Sequence, residues 1–211
     1  WLVMEPKKAL ASLGVALGAW LIAGALVEVA ERVRAFRAPW GEVRRRLVGL
    51  PRGAWGMTLA HIGLGVFALG AAVETSWRVE AAQALSIGQR LRLGEFELRL
   101  DDVRGVDGPN YVAERGLISI TRDGEVVCVA TPERRAYHAG GQTTSEVHIC
   151  PRGLDQLYVV LGERREGPRW LVRGYMNPWV QLIFIGPFLM AFGGVISLSD
   201  RRLRLGVGAR R

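Results

Sequence analysis

Residues 54–76 read AWGMTLAHIGLGVFALGAAVETS. At 1.5 Å of rise per residue, a helix of this length crosses a hydrocarbon core of about 30 Å. The segment is apolar on all sides, and it is rich in Gly and Ala, the small residues that let helices approach closely in lipid. These features predict a membrane-spanning helix rather than one helix of a large soluble core.

Two more segments have the same character, approximately Ala9–Val29 and Trp179–Leu198. Together the three segments explain why 49% of the chain is hydrophobic although its middle is polar. We therefore predict an integral membrane α-helical protein with three spans. No charged leader with a cleavage site precedes the first span, and the chain begins with Trp1 rather than Met, so we expect it to be the tail of something longer.

The distribution of arginine predicts the orientation of the spans. Between the first two spans lie Arg32, Arg34, Arg37, Arg44, Arg45, Arg46 and Arg52, and after the third lie Arg201, Arg202, Arg204, Arg210 and Arg211. Cytoplasmic loops carry such an excess of positive charge, so both segments should be cytoplasmic. The formal net charge of +8 is then a topology signal, and we expect no nucleic-acid partner.

The segment between the second and third spans differs from the rest of the chain. Residues 79–177 carry 13 arginines and 14 acidic residues, and their short runs alternate between apolar and polar residues with turn residues every 8–12 positions. This pattern predicts an inserted all-β domain, a small barrel or sandwich. The predicted inward faces are Phe96, Leu98 and Leu100; Ile118 and Ile120; Val147 and Ile149; and Leu157, Val159 and Leu161. Residues 106–110 should form a tight turn.

These observations give five regions. Residues 1–53 form the first transmembrane span and a basic cytoplasmic loop, and residues 54–78 form the second span, which carries His61. Residues 79–177 form the β-rich periplasmic domain. Residues 178–199 form the last span, and residues 200–211 form a basic cytoplasmic tail.

His61 is the only histidine in a predicted span. An ionisable residue inside a membrane needs an explanation. A neutral imidazole is a good axial ligand for haem iron, and the small neighbours Ala60, Gly63 and Gly65 would leave room for a flat macrocycle. The simpler alternative is a histidine that bonds to another helix or to water.

The exported domain holds the remaining histidines and both cysteines. His138 and His148 lack a second ligand at a spacing typical of zinc sites, so we expect them at the surface or in turns. Cys128 and Cys150 fall in predicted strands and form either a disulfide or two free thiols. No CxxC motif, Walker loop or GxGxxG motif is present.

An ordered series of segments after residue 50 resembles the carboxy-terminal third of the CcmF family, the haem lyase component of bacterial cytochrome c maturation. The segments are LP at 50–51, WGM at 55–57 and AH at 60–61; GPNY at 108–111, PERR at 132–135 with Tyr137, and SE at 145–146; LYVVLGE at 157–163, WLVR at 170–173, PWV at 178–180 and the ending from Gly193 to Arg202. No single motif is specific, but their order and spacing across a span, a β domain and a further span are.

The resemblance implies a function and a site. His61 matches a family histidine that ligates the iron of a membrane-embedded haem b, whose second axial ligand would come from outside this chain. The family takes haem from the haem chaperone CcmE and attaches it to apocytochrome c, whose thiols are handled by CcmH. The resemblance also implies a location in the bacterial inner membrane. The β domain would lie in the periplasm, as a scaffold or a surface for partners. No catalytic residue is expected in this chain.

Two other interpretations remain open at this stage. One is a non-catalytic membrane anchor whose periplasmic β domain binds assembly partners, in which case substitutions near Tyr111 or Glu146 should break a complex. The other is a relative that serves nitrite-reductase cytochromes.

Overall fold

A computed structural model describes residues 6–200, with side chains described from Ala9 onward. The helices are α1 (Pro6–Val33), α2 (Trp40–Val48), α3 (Arg52–Trp77) and α4 (Val180–Leu198). The strands are β1 (Val79–Leu85), β2 (Arg90–Leu93), β3 (Phe96–Asp107), β4 (Tyr111–Arg122), β5 (Glu125–Ala130), β6 (Glu133–Tyr137), β7 (Thr143–Glu146), β8 (His148–Arg152), β9 (Asp155–Arg165) and β10 (Arg169–Asn177). The described residues divide into a helical unit, within residues 6–76 and 179–200, and a β unit, residues 77–178.

Three of the helices, α1, α3 and α4, are long and apolar enough to cross a membrane, which confirms the predicted number of candidate spans. The first helix continues to Val33, one turn beyond the predicted end of its span. Its last turns contain a Glu28–Arg32 ion pair with an N–O distance of 2.6 Å. Because residues four apart are neighbours on a helix, the two charged side chains pair with each other, and the helix continues through them.

The helix α3 packs against α4 along a line of glycines. A Cβ atom added to Gly56 would lie 2.5 Å from the Gly193 carbonyl oxygen, and one added to Gly63 would lie 2.7 Å from the Gly186 carbonyl oxygen. The separations between Gly56, Gly63 and Gly70 are seven residues, so the three glycines lie on one face. The two backbones therefore approach more closely than any side chain would permit.

A second line of close contact joins α3 to α1. A Cβ atom on Gly65 would lie 2.7 Å from the Gly18 carbonyl oxygen, and one on Gly14 would lie 2.8 Å from the Ala72 Cβ atom. The idea that Gly63 and Gly65 leave space for a macrocycle beside His61 is therefore wrong. Neighbouring helices already fill the space that these two glycines create.

The first turn of α3 is fixed by a side chain that follows α4. The Asp200 carboxylate accepts a hydrogen bond of 2.9 Å from the backbone N–H of Gly53. The first N–H groups of a helix have no partner within the helix, and the helix dipole favours a negative charge there. The predicted basic tail, apart from Asp200, lies outside the described residues.

The β unit is a sandwich, one of the two predicted alternatives. One sheet has the strand order β1-β10-β9-β8, and the other has the order β2-β3-β4-β6-β7 with β5 paired to β4. All strand pairs are antiparallel. The long strand β4 pairs first with β6 and then with β5.

Aliphatic side chains fill the space between the two sheets. The predicted inward residues of β3, β4 and β9 are all buried: Phe96, Leu98, Leu100, Ile118, Ile120, Leu157, Val159 and Leu161. For β8 the predicted face is wrong. Ile149 is 46% exposed and Cys150 is 4% exposed, so His148 and Cys150 lie on the inward face.

The turn at residues 106–110 is confirmed between β3 and β4. The Gly108 N–H donates to the Tyr111 carbonyl oxygen at 2.8 Å. The Tyr111 ring lies directly against Gly108, where any Cβ atom would clash with it. This contact explains why a glycine precedes Pro109 in this motif.

Candidate functional site

His61 is the tenth residue of α3, in its third turn, and is exposed in this chain. At about 100° per residue it is about 140° around the helix from Gly56, so it does not lie on the face that packs on α4. Its Nδ1 atom lies 2.9 Å from the Met57 carbonyl oxygen. A carbonyl oxygen only accepts, so Nδ1 carries the proton in this hydrogen bond.

This hydrogen bond fixes the tautomer of the imidazole. When Nδ1–H is bound to a backbone carbonyl, the Nε2 lone pair is free to bind a metal ion, and metal-ligating histidines commonly show this arrangement. His61 is therefore suited to be one axial ligand of a haem. In the described part of the chain, His61 is the sole histidine of the helical unit, so a second imidazole would have to come from elsewhere.

In the β unit, three separated motifs of the resemblance meet around Tyr111. We call Tyr111, Glu133, Arg135 and Tyr137 the Tyr111 cluster. The Tyr111 and Tyr137 rings meet edge to face with centroids 5.6 Å apart, and the Arg135 guanidinium lies 4.5 Å from the Tyr111 ring centroid. Glu146 is paired in register with Glu133 on the next strand.

Glu133 is the buried centre of this cluster. Its two carboxylate oxygens accept hydrogen bonds from Arg115 at 2.5 Å and from Arg135 at 2.8 Å. Burial raises the pKa of the Glu133 carboxyl, but the hydrogen bonds from Arg135 and Arg115 outweigh it, so the pKa lies below its ordinary value. The Glu133 charge is therefore balanced by Arg115 and Arg135, and ring contacts hold Tyr111, Tyr137 and Arg135 together.

The two cysteines form a disulfide between Cys128 of β5 and Cys150 of β8. The bond joins the two sheets, with Cα atoms 6.4 Å apart. His148 lies beside this bond, although the sequence offered no second ligand for it at a spacing typical of zinc sites. The spacing His148-x-Cys150 in a strand could have indicated it, because alternate residues share a face. His138 is exposed in the turn between β6 and β7, as expected.

Together, the helices and the sandwich define a class: a membrane-helix protein with a β-sandwich inserted before its last candidate span. Residues 76–178 match the family described as the CcmF C-terminal beta-sandwich. The chain therefore belongs to the CcmF family and matches its carboxy-terminal portion, as the sequence resemblance indicated.

Known proteins similar to this chain support that assignment. The chain is 41% identical over 206 residues to the cytochrome c-type biogenesis protein CycK of Bradyrhizobium diazoefficiens, covering 98% of this chain and 31% of that protein. It is 32% identical over 212 residues to CcmF of Escherichia coli, again named a cytochrome c-type biogenesis protein, covering 100% of this chain and 31% of that protein. The chain thus spans about a third of the length of these relatives.

A solved structure named cytochrome c heme lyase CcmF shares the fold. It superposes with a TM-score of 0.67 and 19% identity, covering 93% of this chain and 35% of the solved chain. The likeness therefore extends over the helices as well as the sandwich.

Proposed function

We propose that this chain contributes His61 as one axial ligand of a haem b within a protein that attaches haem to apocytochrome c. The observation that carries the proposal is the state of His61. It is exposed on a membrane-type helix and donates Nδ1–H to the Met57 carbonyl, which leaves Nε2 free. The names of the relatives supply the process, cytochrome c biogenesis.

The space for the macrocycle would lie on the exposed side of His61. Close contacts with α1 and α4 occupy Gly65 and Gly63, so the haem would be held between the His61 side of α3 and a segment outside this chain. That segment would supply the second axial ligand. When bound, such a haem supplies an electron, and His61 holds it in place and influences its potential.

We propose that the helices cross the inner membrane of a bacterium. The sandwich would then lie on the periplasmic side, and the segment that contains α2 would lie on the cytoplasmic side. Seven arginines in residues 30–53, from the end of the first apolar segment to the start of the second, support this orientation, while the sandwich is close to neutral. A disulfide in the sandwich also suits an oxidising compartment.

The proposed partners follow from the same function: the haem chaperone CcmE, apocytochrome c and its thiol-handling partner CcmH. Haem attachment to thiols requires reactants that are held together in the correct orientation. The Tyr111 cluster offers a rigid part of the sandwich on which such a partner could dock, and its internal hydrogen bonds make it a scaffold rather than a catalytic centre.

The test compares reduced-minus-oxidised visible spectra of the detergent-purified full-length protein with those of His61→Ala and His138→Ala. We expect the b-type signal to be lost in His61→Ala and kept in His138→Ala, whose histidine is exposed in the sandwich. An unchanged signal in His61→Ala would contradict the proposal. It would favour the alternative function, a membrane anchor whose periplasmic β domain binds assembly partners.

A further inference from the structure

The inter-sheet disulfide has a third side chain beside it that the proposed function does not use. Cys128, Cys150 and His148 bring two Sγ atoms and one imidazole nitrogen within 4.8 Å of one another. Cys150 is buried, while Cys128 and His148 are half-buried. His148 and Cys150 are alternate residues of β8, and Cys128 lies on β5 of the other sheet, so the sandwich topology brings Cys128 to the other two.

This set of donor atoms has a definite chemistry. Two thiolates and one imidazole are typical ligands of Zn²⁺, at about 2.3 Å for sulfur and about 2.0 Å for nitrogen, with a fourth position for water or a substrate. Ligand atoms around one tetrahedral ion are therefore separated by less than about 4 Å. The observed cluster is close to that size.

The surroundings of the three residues suit a divalent ion. Two thiolates and a divalent cation have no net charge, which lowers the cost of placing the ion in a half-buried position. The Thr131 hydroxyl lies 3.3 Å from His148 Nδ1, so it can hold the ring by a hydrogen bond, as second partners of ligating histidines do.

We propose that the reduced form of this cluster is a binding site for one thiophilic divalent cation of the Zn²⁺ class. A dithiol reductant transfers two electrons and two protons to the Cys128–Cys150 bond and becomes a disulfide itself. The cation then binds the two sulfur atoms and His148, and the two thiol protons are released. The same three residues thus alternate between a covalent link and a metal site, independently of His61.

Cobalt(II) is a suitable probe because thiolate ligands give it a strong near-ultraviolet charge-transfer band. The detergent-purified full-length protein is reduced with a phosphine, desalted without oxygen and titrated with Co²⁺, beside an oxidised sample. Because the chain has two cysteines, both in this cluster, a thiolate band in this chain can come from nowhere else. In the full-length protein, a band that persists in Cys150→Ser comes from cysteines outside this chain.

We expect the reduced protein to bind one equivalent of Co²⁺ with the thiolate band, and the oxidised protein and Cys150→Ser to show none from this site. His148→Ala should bind at least about tenfold more weakly, since loss of even a supporting partner of a metal ligand has an effect of that size. His138→Ala is the matched control and should titrate like the parent.

Two results would overturn the site. One is a reduced protein without the band, including one whose sandwich has lost its far-ultraviolet circular dichroism. The other is a His148→Ala titration that cannot be distinguished from that of His138→Ala.

Discussion

In the helical unit, α3 meets α4 at positions where neither helix has a side chain, whereas in the sandwich the two sheets meet through leucine, isoleucine and valine. The surroundings explain the difference. Water drives apolar side chains together between the sheets, but lipid is as apolar as leucine and gives no such driving force. Membrane helices associate instead by close backbone contact, so small residues are essential in one unit and large ones in the other.

The largest loss of stability should come from shortening a buried side chain in the sandwich. Leu98 is fully buried, and Leu98→Ala should reduce its stability by about 3 kcal/mol because a cavity remains. Val126→Ala is the control, since Val126 is 61% exposed. Amide hydrogen exchange of β3 and β10 measures the effect locally. Equal protection in the two variants would mean that the core does not carry the stability of the sandwich.

Adding a methyl group should damage the helical unit. In Gly63→Ala the new Cβ would lie 2.7 Å from the Gly186 carbonyl oxygen, so the helices must separate, at a cost of about 2 kcal/mol. Gly24→Ala is the matched control, because no side chain or neighbouring helix lies within 4 Å of its added Cβ. Thermal unfolding in detergent compares them. If Gly63→Ala were as stable as Gly24→Ala, close backbone contact would not hold the helices.

A smaller effect should follow from the charge at the centre of the Tyr111 cluster. Glu133→Gln should destabilise the sandwich by about 1–2 kcal/mol at neutral pH, because Arg115 and Arg135 lose their charged acceptor. Glu97→Gln is the control, since Glu97 and its partner Arg90 are about half exposed and such pairs contribute little.

The sign of the pH dependence follows from the direction of the pKa shift. The pKa of Glu133 is lower in the folded protein than its ordinary value of 4.5. Its stabilising contribution is therefore complete above about pH 4.5 and disappears as the pH falls through the lowered pKa. Hydrogen exchange from pH 7 to pH 3 should show the parent and Glu133→Gln converging at the acid end. A constant gap would contradict the shift.

Local pattern was enough to predict much of this fold. Length and uniform apolarity identify three candidate spans, and strict alternation identifies the inward residues of β3, β4 and β9, such as Leu98. The alternation misleads in β8, because Cys150 is as compatible with a core as Ile149 is. Which of the two faces inward depends on the pairing of β8 with β9, a long-range feature.

The candidate sites likewise have some features that local sequence reveals and others that depend on the fold. His61 can be selected from the sequence because a histidine among apolar residues is conspicuous. The roles of Gly63 and Gly65 cannot, because the same small residues fit a cofactor pocket or a helix contact. His148 and Cys128 are brought together by two sheets, and no local spacing contains that information.

The bond between Cys128 and Cys150 also bears on self-association. The edge strand of a sheet can pair with a strand from another chain, which is a route to aggregation. The strand β8 is terminal in its sheet and contains Pro151, which lacks a backbone N–H, and the disulfide fastens it to β5. A chain that has formed this link presents a sheet edge that resists the addition of a second copy.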